Sequence, residues 1–158
     1  MVDVLGAGVD VLRYGVASRG AAWASLDLAA ETITPSFEGT TATLLPSARF
    51  PALPSRLDLK SIGEVFVENA LAALGCALAF GVPAGQAVRA LATVLPPPGR
   101  FEVVQRRPDV VIDYAHTPDA LERALKTLRP QAAGRIIVVF GAGGDRKSVG
   151  RERVFEAV

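Results

Sequence analysis

The chain has 158 residues, half of them hydrophobic, and a formal net charge of +1. That is enough apolar material for a real core in one domain or two small ones, and it excludes global disorder. The near-neutral balance gives no support to nucleic-acid or membrane-surface binding. No apolar stretch is long enough to span a bilayer, and the N-terminus lacks a signal-peptide pattern, so a cytoplasmic location is expected.

Residues 1–20 read as a clipped beginning. Val9, Val11, Leu12, Tyr14 and Val16 suggest a strand over 9–16, ended by Ser18-Arg19-Gly20. Two further strands are predicted over 23–28 and 40–45, with a turn at Glu38-Gly39 between them. Pro46, Pro51 and Pro54 make the stretch 44–57 irregular or edge structure. No capped helix is expected before residue 60, so this part reads as a small β layer.

The pattern changes at residue 66. Val67, Ala70, Leu71, Ala73, Leu74, Ala77 and Leu78 recur at helical spacing, and Gly81-Val82-Pro83 ends that helix. A second helix is predicted over 84–94, with Ala87, Val88, Leu91 and Val94 on one face. The pair reads as an αα-hairpin. The single cysteine, Cys76, falls in the first helix as a small core residue. Pro96-Pro97-Pro98-Gly99-Arg100 then forbids helix and stiffens the chain, which marks a domain boundary.

Beyond the boundary, 101–105 reads as a strand. The run Val110-Val111-Ile112 reads as a buried strand that delivers the chain into Asp113-Tyr114-Ala115-His116-Thr117-Pro118-Asp119. Leu121, Leu125 and Leu128 then lie on one helix face, with Thr117 as the cap, Pro118 in the first turn and Asp119 favoured by the helix dipole. Arg123 is expected on the outer face. After a turn at Gly134, the run Ile136-Ile137-Val138-Val139-Phe140 predicts a second strand. Strand, helix and strand over about thirty residues form a βαβ unit with a parallel sheet.

Both strands would empty at one sheet edge, the edge where open α/β sheets bind ligands. A polar pocket of Asp113, His116, Asp145 and Arg146 is expected there. The loop after Phe140, Gly141-Ala142-Gly143-Gly144-Asp145-Arg146-Lys147-Ser148, is not a P-loop, because Arg146 stands where glycine must precede the lysine. Its glycine spacing also fails the dinucleotide fingerprint. His116, the only histidine, reads either as structural or as a ligand contact. By composition Arg100 is only a solvated hinge residue.

These stretches resemble a known family. Asp113-Tyr114-Ala115-His116-Thr117-Pro118-Asp119-Ala120-Leu121, followed by Phe140-Gly141-Ala142-Gly143-Gly144-Asp145-Arg146, looks like the start of the C-terminal domain of the Mur ligases. More narrowly, they resemble those that add the third residue, meso-diaminopimelate or lysine, to UDP-N-acetylmuramoyl-L-alanyl-D-glutamate. Gly99-Arg100-Phe101-Glu102 resembles the family's domain junction. Glu68-Asn69-Ala70-Leu71-Ala72-Ala73 resembles the helix that closes its central ATP-binding domain, although Phe66 stands where the family usually has a second Asn. The likeness is good over about residues 60–146 and weak before them.

The resemblance implies an α/β fold. Residues 1–98 would be the end of a Mur ligase central domain, and 99–146 the start of a Rossmann-like C-terminal domain with the parallel βαβ unit. Residues 147–158 would be an atypical tail: Lys147-Ser148-Val149-Gly150-Arg151-Glu152-Arg153-Val154 departs from the family and resembles a translated sequencing-adapter junction. The family's reaction uses ATP and Mg²⁺ to make an acyl phosphate on the peptide carboxylate, which the amino-acid amine attacks. Domain closure completes the site.

By resemblance Asn69 meets the adenine side, Arg100 touches ATP at the hinge, and Asp113 and His116 meet ribose or base. Arg146 would face the carboxylate of the incoming amino acid. The P-loop, metal ligands and carbamylated lysine would lie before residue 1, and the amino-acid-selecting motif after residue 158. No catalytic residue or metal ligand is therefore expected within this chain. Implied partners are the UDP-muramoyl dipeptide and a diamino acid, with neither nucleic acid nor membrane, in a monomeric parent enzyme. Two alternatives are another Mur-type ligase (a cyanophycin synthetase or the alanine-adding enzyme) and a non-catalytic nucleotide-binding module.

Overall fold

The structure is a computed structural model that describes residues 8–17 and 25–141. Four strands form the first sheet: β1 (Tyr14–Val16), β2 (Leu28–Ser36), β3 (Gly39–Leu45) and β4 (Arg56–Leu59), in that spatial order. β1 runs parallel to β2, while β2–β3 and β3–β4 are antiparallel. The β2–β3 connection is the expected tight turn, with Glu38 and Gly39 at its end. The strand predicted over 23–28 instead begins at Leu28 and runs to Ser36. Its register slips between Glu31 and Thr34, where Thr32 has φ 50°, and that bulge breaks the alternation that would have revealed the strand.

α1 (Glu64–Ala79) packs across this sheet and α2 (Ala84–Leu91) folds back onto α1 and β4, so the αα-hairpin forms as expected. The buried face of α1 is Val67, Ala70, Leu71, Leu74 and Gly75, at i, i+3, i+4, i+7 and i+8. Cys76 lies off that stripe and is exposed, which corrects its reading as a core residue. Gly75 sits against β2 and the segment before β1: a Cβ there would meet Leu12 at 3.0 Å and Leu28 at 3.5 Å. α2 stops at Leu91 rather than Val94. The chain tightens there, as Thr93 N–H donates to the Ala90 carbonyl and Val94 N–H to that of Leu91, and Val94 is left exposed.

The core is built from Leu28, Ala30, Leu44 and Leu57 on the sheet and Val67, Leu71 and Leu74 on α1, joined by Ala87 and Val88 of α2. A single polar side chain, Thr40, is buried among the described residues. Its hydroxyl donates to the Ser61 carbonyl at 2.8 Å and accepts from Gly63 N–H at 2.9 Å, which satisfies it fully and pins the loop that leads into α1.

The chain after the proline run departs from the predicted parallel unit. β5 (Glu102–Gln105) and β6 (Val110–Ile112) form an antiparallel two-stranded sheet across the turn 106–109. The expected second strand at 136–140 is not formed, and Ile137 and Val139 are exposed. Nor is Val110-Val111-Ile112 a buried strand, since Val110 and Ile112 are exposed. The physical reason is shared. A parallel strand is stable when paired and covered on both faces, whereas β5 reaches β6 through a four-residue turn at small loop-closure cost. The parallel pair lies instead at β1–β2.

α3 (Pro118–Leu128) has the predicted start: Thr117 Oγ1 accepts from Ala120 N–H at 3.2 Å, Pro118 opens the first turn and Asp119 follows. Thr117→Ala should lower stability by about 1 kcal/mol in urea unfolding, while Thr117→Ser should retain most of it.

Candidate functional site

A cleft of about 840 Å³ lies between the start of α1, the proline run and the β6–α3 loop. Asn69, Arg100, Asp113 and His116 all line it. The expected pairing of Asp113 and His116 with Asp145 and Arg146 cannot be described, because those two, like the tail 147–158, lie outside the described residues. What joins Asp113 and His116 is therefore the helix residue Asn69 and the junction residue Arg100, from stretches about 30 residues apart in sequence.

Each position has a local cause. Asn69 is on the exposed flank of α1, between the buried Val67 and Ala70. Ile62 and Gly63, held by Thr40, form the cleft wall at the N-terminus of that helix. Arg100 sits in a turn between Gly99 (φ 69°) and Phe101 (φ 50°), with the Phe101 ring buried. Asp113 leaves the end of β6, and its Oδ1 accepts from Tyr114 N–H at 2.9 Å and from Phe101 N–H at 3.1 Å. His116 Nδ1 lies 3.0 Å from the Tyr114 carbonyl oxygen.

Tyr114 is the residue that sequence reasoning passed over. The Arg100 guanidinium lies over its ring at 4.4 Å, and the His116 ring meets it edge-on at 4.9 Å. Arg100 over the Tyr114 face and His116 edge-on to that ring thus share one wall of the cleft. The clue was local: an aromatic residue beside Asp113 on a strand-to-helix loop.

Arg123, expected on the outer face of α3, also lines the cleft, together with Lys126. Helical spacing puts Arg123 one turn and Lys126 two turns from Asp119, another lining residue, on the same face. Lys126 is ion-paired with Glu122, and its hydrogen bond holds the Glu122 carboxyl below the usual range. The site therefore combines cations, an aromatic wall and an apolar floor that includes Phe66 and Ala70. Such a mixture suits a ligand with a flat apolar part and an anionic part. Among the described residues no group of three or more His, Cys, Asp or Glu is placed to hold a metal ion.

The Mur ligase glutamate ligase domain matches residues 99–158. Curated relatives include two named UDP-N-acetylmuramoyl-L-alanyl-D-glutamate--2,6-diaminopimelate ligase. The one from Brucella melitensis is 48% identical over 93 residues, covering 57% of this chain and 19% of that protein. The one from Synechocystis is 44% identical over 105 residues, covering 64% and 20%. The chain thus spans about a fifth of the length of the curated relatives it matches.

Among solved structures, a UDP-N-acetylmuramoyl-L-alanyl-D-glutamate--2,6-diaminopimelate ligase aligns with a TM-score of 0.61 at 31% identity, over 94% of this chain and 29% of that one. The D-alanyl-D-alanyl ligase from Acinetobacter baumannii aligns with a TM-score of 0.62 at 26% identity, over 78% and 25%. The Mur ligase domain is thus matched from the junction onward, and the sheet and helices before it are similar to the same kind of enzyme.

Proposed function

We propose that the chain is part of an ATP-dependent ligase that adds 2,6-diaminopimelate to UDP-N-acetylmuramoyl-L-alanyl-D-glutamate in peptidoglycan precursor synthesis. The carrying observation is the cleft that gathers Asn69, Arg100, Asp113 and His116 from two separate stretches. Asn69 offers an amide to a base edge, His116 an imidazole to ribose or base, and Arg100 a charge for phosphate, with Asp113 beside them in the same cleft. The names of the matched relatives favour diaminopimelate over lysine.

The domain reading is part of this proposal: 1–98 as the end of the central domain, 99–146 as the start of the ligase domain. It is supported by the core, whose buried members run from Val16 to Val88, whereas the buried Phe101 and Leu121 lie outside that cluster. Arg146 is proposed to take the amino-acid carboxylate. The complete protein is proposed to act as a monomer in the cytoplasm, with Mg²⁺ held by residues outside those described. No helix among the described residues is long and apolar enough to cross a membrane.

The test is ADP release by the protein expressed from its whole reading frame, given ATP, the muramoyl dipeptide and either diaminopimelate or lysine. Release that requires diaminopimelate is expected, and release with lysine alone overturns the assignment. The 158-residue chain by itself should bind ATP yet form no ADP. Its sequence has no P-loop, so nothing in it matches the usual cradle for a transferring phosphoryl group.

A further inference from the structure

Arg100 is held from both sides by one carboxylate. Asp113 Oδ1 accepts the N–H of Phe101, the residue after Arg100, and the N–H of Tyr114, whose ring lies under the Arg100 guanidinium. The aromatic partner and the backbone that carries the cation are therefore tied to the same oxygen. The turn itself is closed by a second carboxylate, as Gly99 N–H donates to Glu102 Oε2 at 2.7 Å, and by Arg100 N–H donating to the Pro97 carbonyl at 3.2 Å.

Phe101 makes this arrangement informative. A residue with a Cβ rarely holds φ near +50°, and it does so only where the surroundings fix it. Here the fixing contacts are its buried ring and the hydrogen bond to Asp113. Without that bond the backbone at Phe101 is free to return to negative φ, which swings the preceding residue, Arg100, off the Tyr114 ring.

We infer that Asp113 is a positioning residue that acts through Arg100: its carboxylate sets the junction turn so that the guanidinium is presented on the Tyr114 face of the cleft. The inference rests on the reading of the cleft as an ATP site. It differs from a direct ribose contact in one respect. A direct contact costs nucleotide affinity whether or not Arg100 is present, whereas positioning costs nothing once Arg100 is gone.

The experiment uses the 158-residue chain with Asp113→Ala, Asp113→Asn, Arg100→Ala and the Asp113→Ala/Arg100→Ala double substitution. Two quantities are read: the upfield ring-current shift of the Arg100 side-chain protons by NMR, and ATP affinity by calorimetry. Asp113→Ala should abolish the shift and weaken ATP binding about tenfold, the size of one charge-assisted contact. Asp113→Asn keeps an oxygen acceptor and should hold both quantities near wild type. In the Arg100→Ala background, Asp113→Ala should weaken binding no further.

A ring-current shift that survives Asp113→Ala overturns the inference. So do losses that multiply in the double variant, which would make Asp113 a ligand contact in its own right. An Asp113→Asn chain as impaired as the alanine variant overturns it as well. If the wild-type chain binds no ATP, the nucleotide reading fails, while the ring-current shift still decides whether Asp113 sets Arg100.

Discussion

Gly39→Ala should destabilise the chain by about 4 kcal/mol or more, the largest stability loss expected of any single methyl addition here. A Cβ at Gly39 would lie 2.0 Å from the Leu59 carbonyl oxygen and 3.1 Å from its carbon, and Gly39 has φ 143°. The obstacle is backbone, so no side-chain rotation relieves it, and β3 and β4 must separate. The damage falls on the residues that shape the cleft. Thr40 pairs with Leu59 in the β3–β4 ladder, and its hydroxyl bridges Ser61 and Gly63. Separating the strands there releases the loop at the start of α1. Urea unfolding beside Gly134→Ala gives the comparison. A Cβ at Gly134 meets nothing within 4 Å, and that variant should stay within about 0.5 kcal/mol of wild type. Equal midpoints for the two variants would show that the β3–β4 contact is not as close as described.

The legible parts of this fold were those fixed by local chemistry. The stripe of α1 and the Thr117-Pro118 start of α3 need only helical period and a cap; the cap formed as read, and the stripe formed at Val67, Ala70, Leu71 and Leu74, while Ala73 is exposed and Ala77 and Leu78 are half-buried. The missed strands have non-local causes. Three prolines between Leu45 and Arg56 hid β4, yet the strand starts after the last of them and is held by pairing with β3, 12 or more residues away. The apolar runs at 110–112 and 136–140 looked alike in sequence. Their difference lies in partners: the first has β5 across a four-residue turn, and the second forms no strand among the described residues. The signal for the hairpin was present in Arg106-Arg107-Pro108-Asp109, a turn-forming stretch between two short apolar runs.

The site divides in the same way. Asp113 and His116 were placed by the strand-to-helix loop, and Asn69 and Arg100 only by family resemblance, since an exposed helix residue and a hinge arginine carry no periodic signal. Tyr114 was in plain view but had no assigned part until the Arg100 guanidinium was found above it. Arg123 was misassigned to the outer face because helical spacing around Leu121, Leu125 and Leu128 says which side faces the core, not which flank borders a cleft formed by a different helix.

On the proposed ligase function, Arg100→Ala in the complete protein should raise the Michaelis constant for ATP and lower turnover, for a combined loss in kcat/KM of about ten- to a hundredfold. Two effects compete in this substitution. Losing the contact with the Tyr114 ring at an exposed site should cost about 0.5–1 kcal/mol of stability. Losing a charge-assisted bond to nucleotide should cost about 1.5–3 kcal/mol of binding. The kinetic defect should therefore outweigh the thermal one. Turnover should fall with affinity because the residue sits in the turn that follows the proline run, where a movement of the ligase domain would be transmitted. Arg100→Lys keeps the charge but loses the planar group over Tyr114, and should recover only part of the affinity. Arg123 is no control, because it lines the same cleft. Arg89→Ala, on the exposed end of α2 and outside the cleft, should leave ATP kinetics and melting temperature unchanged. Wild-type ATP kinetics for Arg100→Ala, with a loss for Arg89→Ala, would put the nucleotide on the other side of α1.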